Sequence, residues 1–163
     1  MQFRDLHDGD RDAVLALNNG AVPAVSGLDR EALDALLDEC SHAVVVDASG
    51  GIDGFFITFR PGATYESQNY VWFSERYDDF EYLDRIVVAE SARGGGLGAG
   101  LYAELEARIA GEVPWLLCEV NVKPLNEGSL RFHHRLGFRE VGQQDTEGGA
   151  KRVSMLAKPI TAA

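Results

Sequence analysis

The chain of 163 residues is long enough for a hydrophobic core, and we expect residues 1–163 to form a single domain. Its net charge of −11 argues against nucleic-acid binding, which needs a basic face, and no apolar run approaches the roughly 20 residues of a membrane span. The charged start MQFRDLHDGD lacks an apolar signal segment, and Cys40 and Cys118 show no metal spacing, so we expect a cytoplasmic protein with no membrane partner and no metal.

The first part of the chain predicts a strand, two helices and a hairpin. A short strand is expected at residues 2–6, and apolar residues recur with helical spacing in 11–20 and 29–40. Asp29 is a suitable N-cap for the second helix. Residues 43–59 hold two β-branched and aromatic runs around an Asp/Ser/Gly turn, which predicts a hairpin.

An aromatic segment follows at residues 60–80, and we predict a long loop with one helical turn or more. Long connections in compact domains are often functional. Tyr65, Tyr70 and Trp72 therefore either cover a substrate cleft and contact the substrate through their rings, or form a small hydrophobic cluster beneath the loop.

The second half alternates strands and helices. Strands are predicted at 81–90 and 114–122, each followed by a helix, and a final strand pair closes the chain. Gly137 is a suitable C-terminal cap for the second of these helices. The fold class is therefore α/β with a mixed sheet, in the order β-α-α-β-β-β-α-β-α-β-β.

The stretch ARGGGLGAG at residues 92–100 has five glycines in nine positions. This stretch does not fit a flexible linker, because a predicted strand precedes it directly and an amphipathic helix follows it directly. Gly94-x-Gly96-x-x-Ala99 fits a loose dinucleotide fingerprint, which keeps a nicotinamide- or flavin-dependent oxidoreductase as an alternative. Too few strand–helix alternations follow for a doubly wound domain, however.

Two motifs resemble those of the GNAT family of acyl-coenzyme-A-dependent N-acetyltransferases. Arg93–Gly98 fits R/Q-x-x-G-x-G/A, and Asn126–Phe138 is similar to the second signature, Asn-x-x-Ser/Ala-x-x-Phe/Leu-Tyr-x-x-x-Gly-Phe. The resemblance covers residues 82–138 closely, and the order of elements matches over nearly the whole chain. It implies a sheet with a splayed central strand pair. It also implies transfer of an acetyl group from acetyl-CoA, the co-substrate, to a primary amine of a small molecule or protein.

The glycine stretch suits the pyrophosphate of coenzyme A, because a tight turn into a helix N-terminus directs unpaired backbone N–H groups at one point. Glycine leaves the backbone open to close approach. The resemblance implies cofactor contacts along the preceding strand, the turn and the second motif: Ile86, Val87, Val88, Arg93, Gly94, Gly95, Gly96, Leu97, Gly98, Ala99, Asn126 and Ser129. Asn126 and Ser129 alternatively cap a helix.

The proton donor is the clearest departure from the family pattern. His133 stands where many family members have a tyrosine that protonates the departing thiolate. A histidine can also donate a proton, so His133 is a candidate catalytic acid, or a polar residue hydrogen-bonded beside the cofactor. The missing tyrosine keeps a non-catalytic acyl-CoA-binding regulatory module as an alternative function.

Two carboxylates are candidate catalytic bases. The period of two along a strand predicts that Asp84 shares a face with Ile86 and Val88. Glu119 lies among apolar neighbours in the next strand, where a carboxylate needs an explanation. Each either acts as a base or binds a cationic substrate, or instead pairs with an arginine, Arg85 or Arg139, as part of the structure.

For the acceptor site, the sequence offers candidate residues in three segments. The family contacts its acceptor with the connection of the first two helices, here 18–26 with Asn19, and with the last hairpin near Glu147. We add Tyr65, Tyr70 and Trp72 of the aromatic segment as candidate acceptor contacts. Exposed strand edges in this fold often support dimers, so a homodimer is a further expectation.

Overall fold

The computed structural model describes residues 1–162, which form seven strands and five α-helices. The strands are β1 (Gln2–Asp5), β2 (His42–Asp47), β3 (Ile52–Phe59), β4 (Glu81–Val88), β5 (Trp115–Lys123), β6 (Arg139–Thr146) and β7 (Lys151–Pro159). The helices are α1 (Arg11–Gly20), α2 (Arg30–Glu39), α3 (Gln68–Ser74), α4 (Leu97–Ile109) and α5 (Glu127–Leu136). The predicted order is confirmed, with α3 as the one addition.

The strands form one mixed sheet in the order β1-β2-β3-β4-β5-β7-β6. Neighbouring strands are antiparallel except β4 and β5, which are parallel. In the part of the chain that the structure describes, no helix is both long enough and apolar enough to cross a membrane.

Each face of the sheet carries its own hydrophobic core. Helices α1, α2 and α3 cover one face, where Val14, Leu33 and Phe73 are fully buried. Helix α4 covers the other face with Leu101 and Leu105. The apolar stripes of the helices therefore pack on the two opposite faces of one sheet, as expected for an α/β fold.

The central strand pair is splayed, as predicted. β4 and β5 pair only at Glu81–Leu116 and Tyr82–Leu117, near the start of each strand. Farther along, β4 pairs with β3 alone and β5 with β7 alone. A gap therefore opens in the middle of the sheet at the carboxyl end of β4.

Backbone donors of β4 face this gap. The N–H of Ala89 donates to the carbonyl of Asp53 on the β3 side, at 2.7 Å. Because successive N–H groups of a strand alternate between its two edges, the N–H of Val88 points to the opposite edge, where β5 has already diverged. The carboxyl end of β4 thus presents a backbone donor to the gap.

A β-bulge at Asp84 changes the alternation on which the sequence prediction relied. Arg85 pairs with Ile57 of β3 and Leu83 with Thr58, so Asp84 is an extra residue in β4. A bulge of this kind shifts the side-chain alternation by one residue. Asp84 therefore lies on the α1–α2–α3 face, and the prediction that it shares a face with Ile86 is wrong.

Candidate active site

Two cavities meet at the gap between β4 and β5. One, of about 550 Å³, lies on the α1–α2–α3 side, and we call it the acceptor cavity. The other, of about 590 Å³, lies beside the start of α4, and we call it the donor cavity. The residues that line both are Ile86, Tyr102, Ser129 and His133. These four residues form the junction between the cavities.

The glycine turn forms the wall of the donor cavity. Gly94 and Gly96 have φ of 84° and 83°, a left-handed conformation that other residues rarely adopt. The carbonyl of Gly96 accepts the N–H of Gly100 at 2.9 Å, which starts α4. The N–H groups of the first turn, at Leu97 and Gly98, precede this first helical bond and have no acceptor within the helix. The turn is therefore shaped to bind an anion with backbone donors.

Most predicted cofactor residues line the donor cavity. They are Ile86, Val88, Arg93, Gly94, Gly96, Leu97, Gly98, Ala99 and Ser129. Val87 instead packs into the core of the α1–α2–α3 face, because it follows Ile86 in the strand alternation. Gly95 also lies outside the lining.

Asn126 caps α5, and both Asn126 and Ser129 face the cavities. The side chain of Asn126 accepts the N–H of Ser129 at 3.3 Å, which is an N-cap bond. Asn126 also lines the acceptor cavity, and Ser129 belongs to the junction. The two alternatives drawn from the sequence are therefore compatible.

His133 is buried, with both ring nitrogens hydrogen-bonded. Nδ1 lies 2.7 Å from the carbonyl oxygen of Ser129, so Nδ1 carries a proton and donates it. Nε2 then accepts a hydrogen bond from the hydroxyl of Tyr102. Burial lowers the pKa of His133 below its usual value, which favours the neutral ring.

Tyr102 is a site residue that the sequence reasoning missed. It lies in the apolar stripe of α4 and is 1% exposed, so its pattern is that of a core residue. Burial raises its pKa well above the ordinary value, so the phenol stays protonated. The only signal in the sequence was a hydroxyl within an otherwise apolar helix face.

Glu119 is a partly buried carboxyl on the acceptor side of the gap. Burial raises its pKa to about 8, and the nearby Asp84 adds to the shift. The hydroxyl of the buried Tyr82 donates to its Oε1 and opposes the shift. A carboxyl with a pKa near neutrality can change its protonation state during a reaction, as a catalytic base must.

Asp84 also lines the acceptor cavity, where each of its carboxylate oxygens is hydrogen-bonded to a protein side chain. Its carboxylate accepts the hydroxyl of Tyr65 at 2.6 Å and Nε of Arg85 at 2.7 Å. Arg85 in turn donates to Asn18 at 3.0 Å and to Ser26 at 3.1 Å. Of the two arginines considered from the sequence, Asp84 thus pairs with Arg85. Its carboxylate anchors the loop between α1 and α2.

That loop and the last hairpin both line the acceptor cavity. The lining includes residues 23–26 of the α1–α2 loop together with Glu147 and Lys151 of the hairpin. The ammonium of Lys151 donates to the carbonyl of Pro23 at 3.2 Å, which joins the two segments.

Three of the predicted acceptor residues do not line the acceptor cavity. Asn19 uses its amide to bind both the N–H and the carbonyl of Leu28, at 2.9 Å each, and so folds the loop. Tyr70 is buried and donates to the carbonyl of Arg60 at 2.6 Å. Trp72 packs on Gly142 beneath Arg76. Tyr70 and Trp72 thus belong to the hydrophobic core of the α1–α2–α3 face.

From the aromatic segment, Tyr65 does reach the acceptor cavity. It is joined there by three polar residues before and within α3, Ser67, Gln68 and Asn69, which the sequence reasoning missed. The helix turns its aromatic side chains toward the sheet, which leaves these polar residues at the cavity.

Comparisons with known proteins agree with this geometry. Residues 63–138 match the family model of the acetyltransferase (GNAT) family. No curated protein sequence matches the chain. The family match spans the strand, glycine turn and α5 that surround the donor cavity.

Solved structures match over almost the whole chain. The ribosomal-protein-S18-alanine N-acetyltransferase from Escherichia coli is 19% identical, with a TM-score of 0.76 over 99% of this chain and 95% of that one. The ribosomal-protein-alanine N-acetyltransferase from Brucella melitensis is 25% identical, with a TM-score of 0.72 over 98% and 99%. An aminoglycoside 6'-N-acetyltransferase complexed with coenzyme A is 16% identical, with a TM-score of 0.74 over 100% and 99%. Residues 63–138 thus match the acetyltransferase (GNAT) family, and the solved N-acetyltransferases share the fold of nearly the whole chain.

Proposed function

We propose that this protein transfers an acetyl group from acetyl-CoA to a primary amine of a small molecule or a protein. The observation that carries the proposal is the junction of the two cavities, at the gap between β4 and β5. An acyl donor on the α4 side and an amine on the α1–α2 side would meet there, and proximity of this kind contributes much of the rate of a two-substrate reaction.

The residues of the donor cavity fit coenzyme A. Gly94 and Gly96 give the turn its left-handed bends, and the first N–H groups of α4 would hold the pyrophosphate. Acetyl-CoA supplies the activated acetyl thioester. The N–H of Val88 faces the gap and would stabilise the oxyanion that develops at the acetyl carbonyl.

The acceptor side has a base suited to an amine. Amine nitrogens attack only when deprotonated, and Glu119, with a pKa raised to about 8, can accept a proton near neutral pH. Asp84 and Arg85 neutralise one another in the same wall. We therefore assign Glu119 as the base and Asp84 as a positioning residue.

The structural neighbours include enzymes of two acceptor classes. Two of them acetylate alanine of ribosomal proteins, and a third acetylates an aminoglycoside. Both classes present a primary amine, and this common chemistry supports the amine as the acceptor group here.

Calorimetric titration with coenzyme A, followed by a thiol-release assay with acetyl-CoA and a panel of amines and peptides, tests the proposal. We expect micromolar binding of coenzyme A and amine-dependent release of thiol. Binding without turnover for every amine would favour the regulatory acyl-CoA-binding module. Binding of NAD without binding of coenzyme A would overturn the assignment in favour of an oxidoreductase.

A further inference from the structure

The junction between the cavities holds few groups that carry a transferable proton. Of its four residues, Ile86 is apolar, and the other three are Tyr102, Ser129 and His133. A side-chain proton that reaches a sulfur leaving at this point comes from one of these three residues. The hydrogen bonds among them decide which proton is available.

His133 holds its proton away from the junction. The short bond from Nδ1 to the Ser129 carbonyl, 2.7 Å, fixes the proton on Nδ1, because a carbonyl oxygen can only accept. Nε2 accepts the Tyr102 hydroxyl and so carries no proton in this arrangement. His133 is thus an acceptor toward the site.

Tyr102 and Ser129 are the two hydroxyls that remain. A phenol is a much stronger acid than an aliphatic hydroxyl, so Tyr102 remains the better donor of the two even though burial raises its pKa. A proton donor works best when its acidity approaches that of the group it serves. The phenol is therefore the better matched donor.

We propose that Tyr102 is the catalytic residue that protonates the sulfur leaving group, and that His133 is a positioning residue that holds the Tyr102 hydroxyl at the junction. This assignment rests on the proposed acetyl transfer. It replaces the expectation that His133 itself donates the proton.

The proposed step transfers the acetyl group to the amine and moves two protons. The amine nitrogen forms a bond to the acetyl carbonyl carbon, the carbon–sulfur bond breaks, and its electron pair goes to sulfur. The Tyr102 hydroxyl rotates from His133 toward sulfur, its O–H bond breaks and an S–H bond forms. The proton released by the nitrogen goes to Glu119 and then to water, and the phenolate regains a proton from water.

Paired variants separate the two roles. We expect Tyr102→Phe to lower kcat by about 100-fold or more, the scale of general acid catalysis, with KM and coenzyme A affinity nearly unchanged. His133→Gln keeps an acceptor beside the phenol and should lower kcat by about tenfold or less. Tyr77→Phe, a phenol outside both cavities beside Trp115, serves as the matched control.

A swap tests whether a phenol at the junction is what matters. Tyr102→Phe removes a hydroxyl next to His133, which leaves room for a longer ring at that position. We expect the double variant Tyr102→Phe/His133→Tyr to recover at least tenfold of the kcat lost in Tyr102→Phe. No recovery in a double variant that folds and binds coenzyme A would overturn the assignment.

A readout on the ligand-free protein is independent of turnover. Nitrogen-15 NMR of the imidazole should show His133 protonated on Nδ1 and unprotonated on Nε2 at neutral pH. A proton on Nε2, or a loss in His133→Gln equal to or larger than that in Tyr102→Phe, would return the acid role to His133 and overturn the proposal. If the wild-type protein itself turns over no amine, the proposed function fails, and the assignment of Tyr102, which rests on it, fails too.

Discussion

Asp84 and Arg85 are adjacent in the chain, yet they form a buried ion pair, with Nε and Oδ2 2.7 Å apart and each side chain 5% exposed. Neighbours on a regular strand point to opposite faces and cannot pair in this way. The β-bulge at Asp84 brings both side chains to the acceptor side of the sheet. One extra residue in β4 thus changes a candidate base into an anchor for the α1–α2 loop.

Replacement of Arg85 by lysine should loosen that anchor. The guanidinium bonds Asp84, Asn18 and Ser26 at once, and a lysine ammonium cannot reproduce this fork. We expect Arg85→Lys to lower the free energy of unfolding by about 2 kcal/mol and to raise KM for the amine several-fold. Urea unfolding and steady-state kinetics measure the two effects. Arg30→Lys, at an exposed ion pair, is the control.

Coenzyme A affinity should be unchanged in Arg85→Lys, because the loop lies on the acceptor side of the gap. A loss of coenzyme A binding at constant KM for the amine would contradict the division of the site into two cavities.

The pH dependence of the rate should report the ionisation of Glu119. With a pKa of about 8, this carboxyl is mostly protonated at pH 7, so kcat/KM should rise with pH until it levels off above about pH 8. Tyr82→Phe removes a bond that lowers this pKa, so the rise should shift to higher pH. Glu119→Gln should abolish this limb of the profile. A limb that stays in place in both variants would assign it to another group.

The same ionisation should appear in the stability of the ligand-free protein. The pKa of Glu119 is raised from 4.5 to about 8 on folding, so the folded state keeps a proton that the unfolded state has lost between these values. The Glu119 contribution to stability is complete below pH 4.5 and is lost as pH rises toward 8. Glu119→Gln should flatten the fall of the free energy of unfolding across this window, measured by urea titrations at a series of pH values.

A side chain at Gly96 should weaken both the fold and the donor site. Its φ of 83° places an alanine in the left-handed region, at a cost of about 1 to 2 kcal/mol, and Gly96 sets the first turn of α4. We expect Gly96→Ala to lower the melting temperature and the affinity for coenzyme A together. The same substitution at Gly95, where φ is not left-handed and the new Cβ would meet the Ala92 carbonyl at 3.5 Å, should cost less stability. Equal losses at both positions would contradict the conformational explanation.

Trp72 should matter for stability and leave the acceptor KM unchanged. Its ring lies against Gly142, where an added Cβ would come within 2.6 Å of Cζ2, and Arg76 stacks on its other side at 3.7 Å from the ring centroid. Trp72→Ala should cost about 2 kcal/mol through lost packing. Gly142→Ala should cost about 1 to 3 kcal/mol alone, by overpacking, and much less in the Trp72→Ala background. Additive costs in this double-mutant cycle would show that the two residues do not pack together.

By itself, the sequence determined the order of the elements, the mixed sheet and the glycine turn before α4. These features depend on local patterns. Runs of β-branched residues indicate strands, apolar stripes indicate helices, and glycines indicate left-handed turns. The same local logic identified Asn126 as a candidate cap of α5.

Only the tertiary structure decided which side chains face the gap. The bulge at Asp84 is a property of the register between β3 and β4, and no residue in the chain marks it. Tyr102 resembles a core residue in the sequence, and its hydroxyl gains a role only because α5 brings His133 against it. The aromatic residues Tyr70 and Trp72 turn inward because α3 packs on the sheet. Contacts between distant segments set these orientations, and they have no local signature.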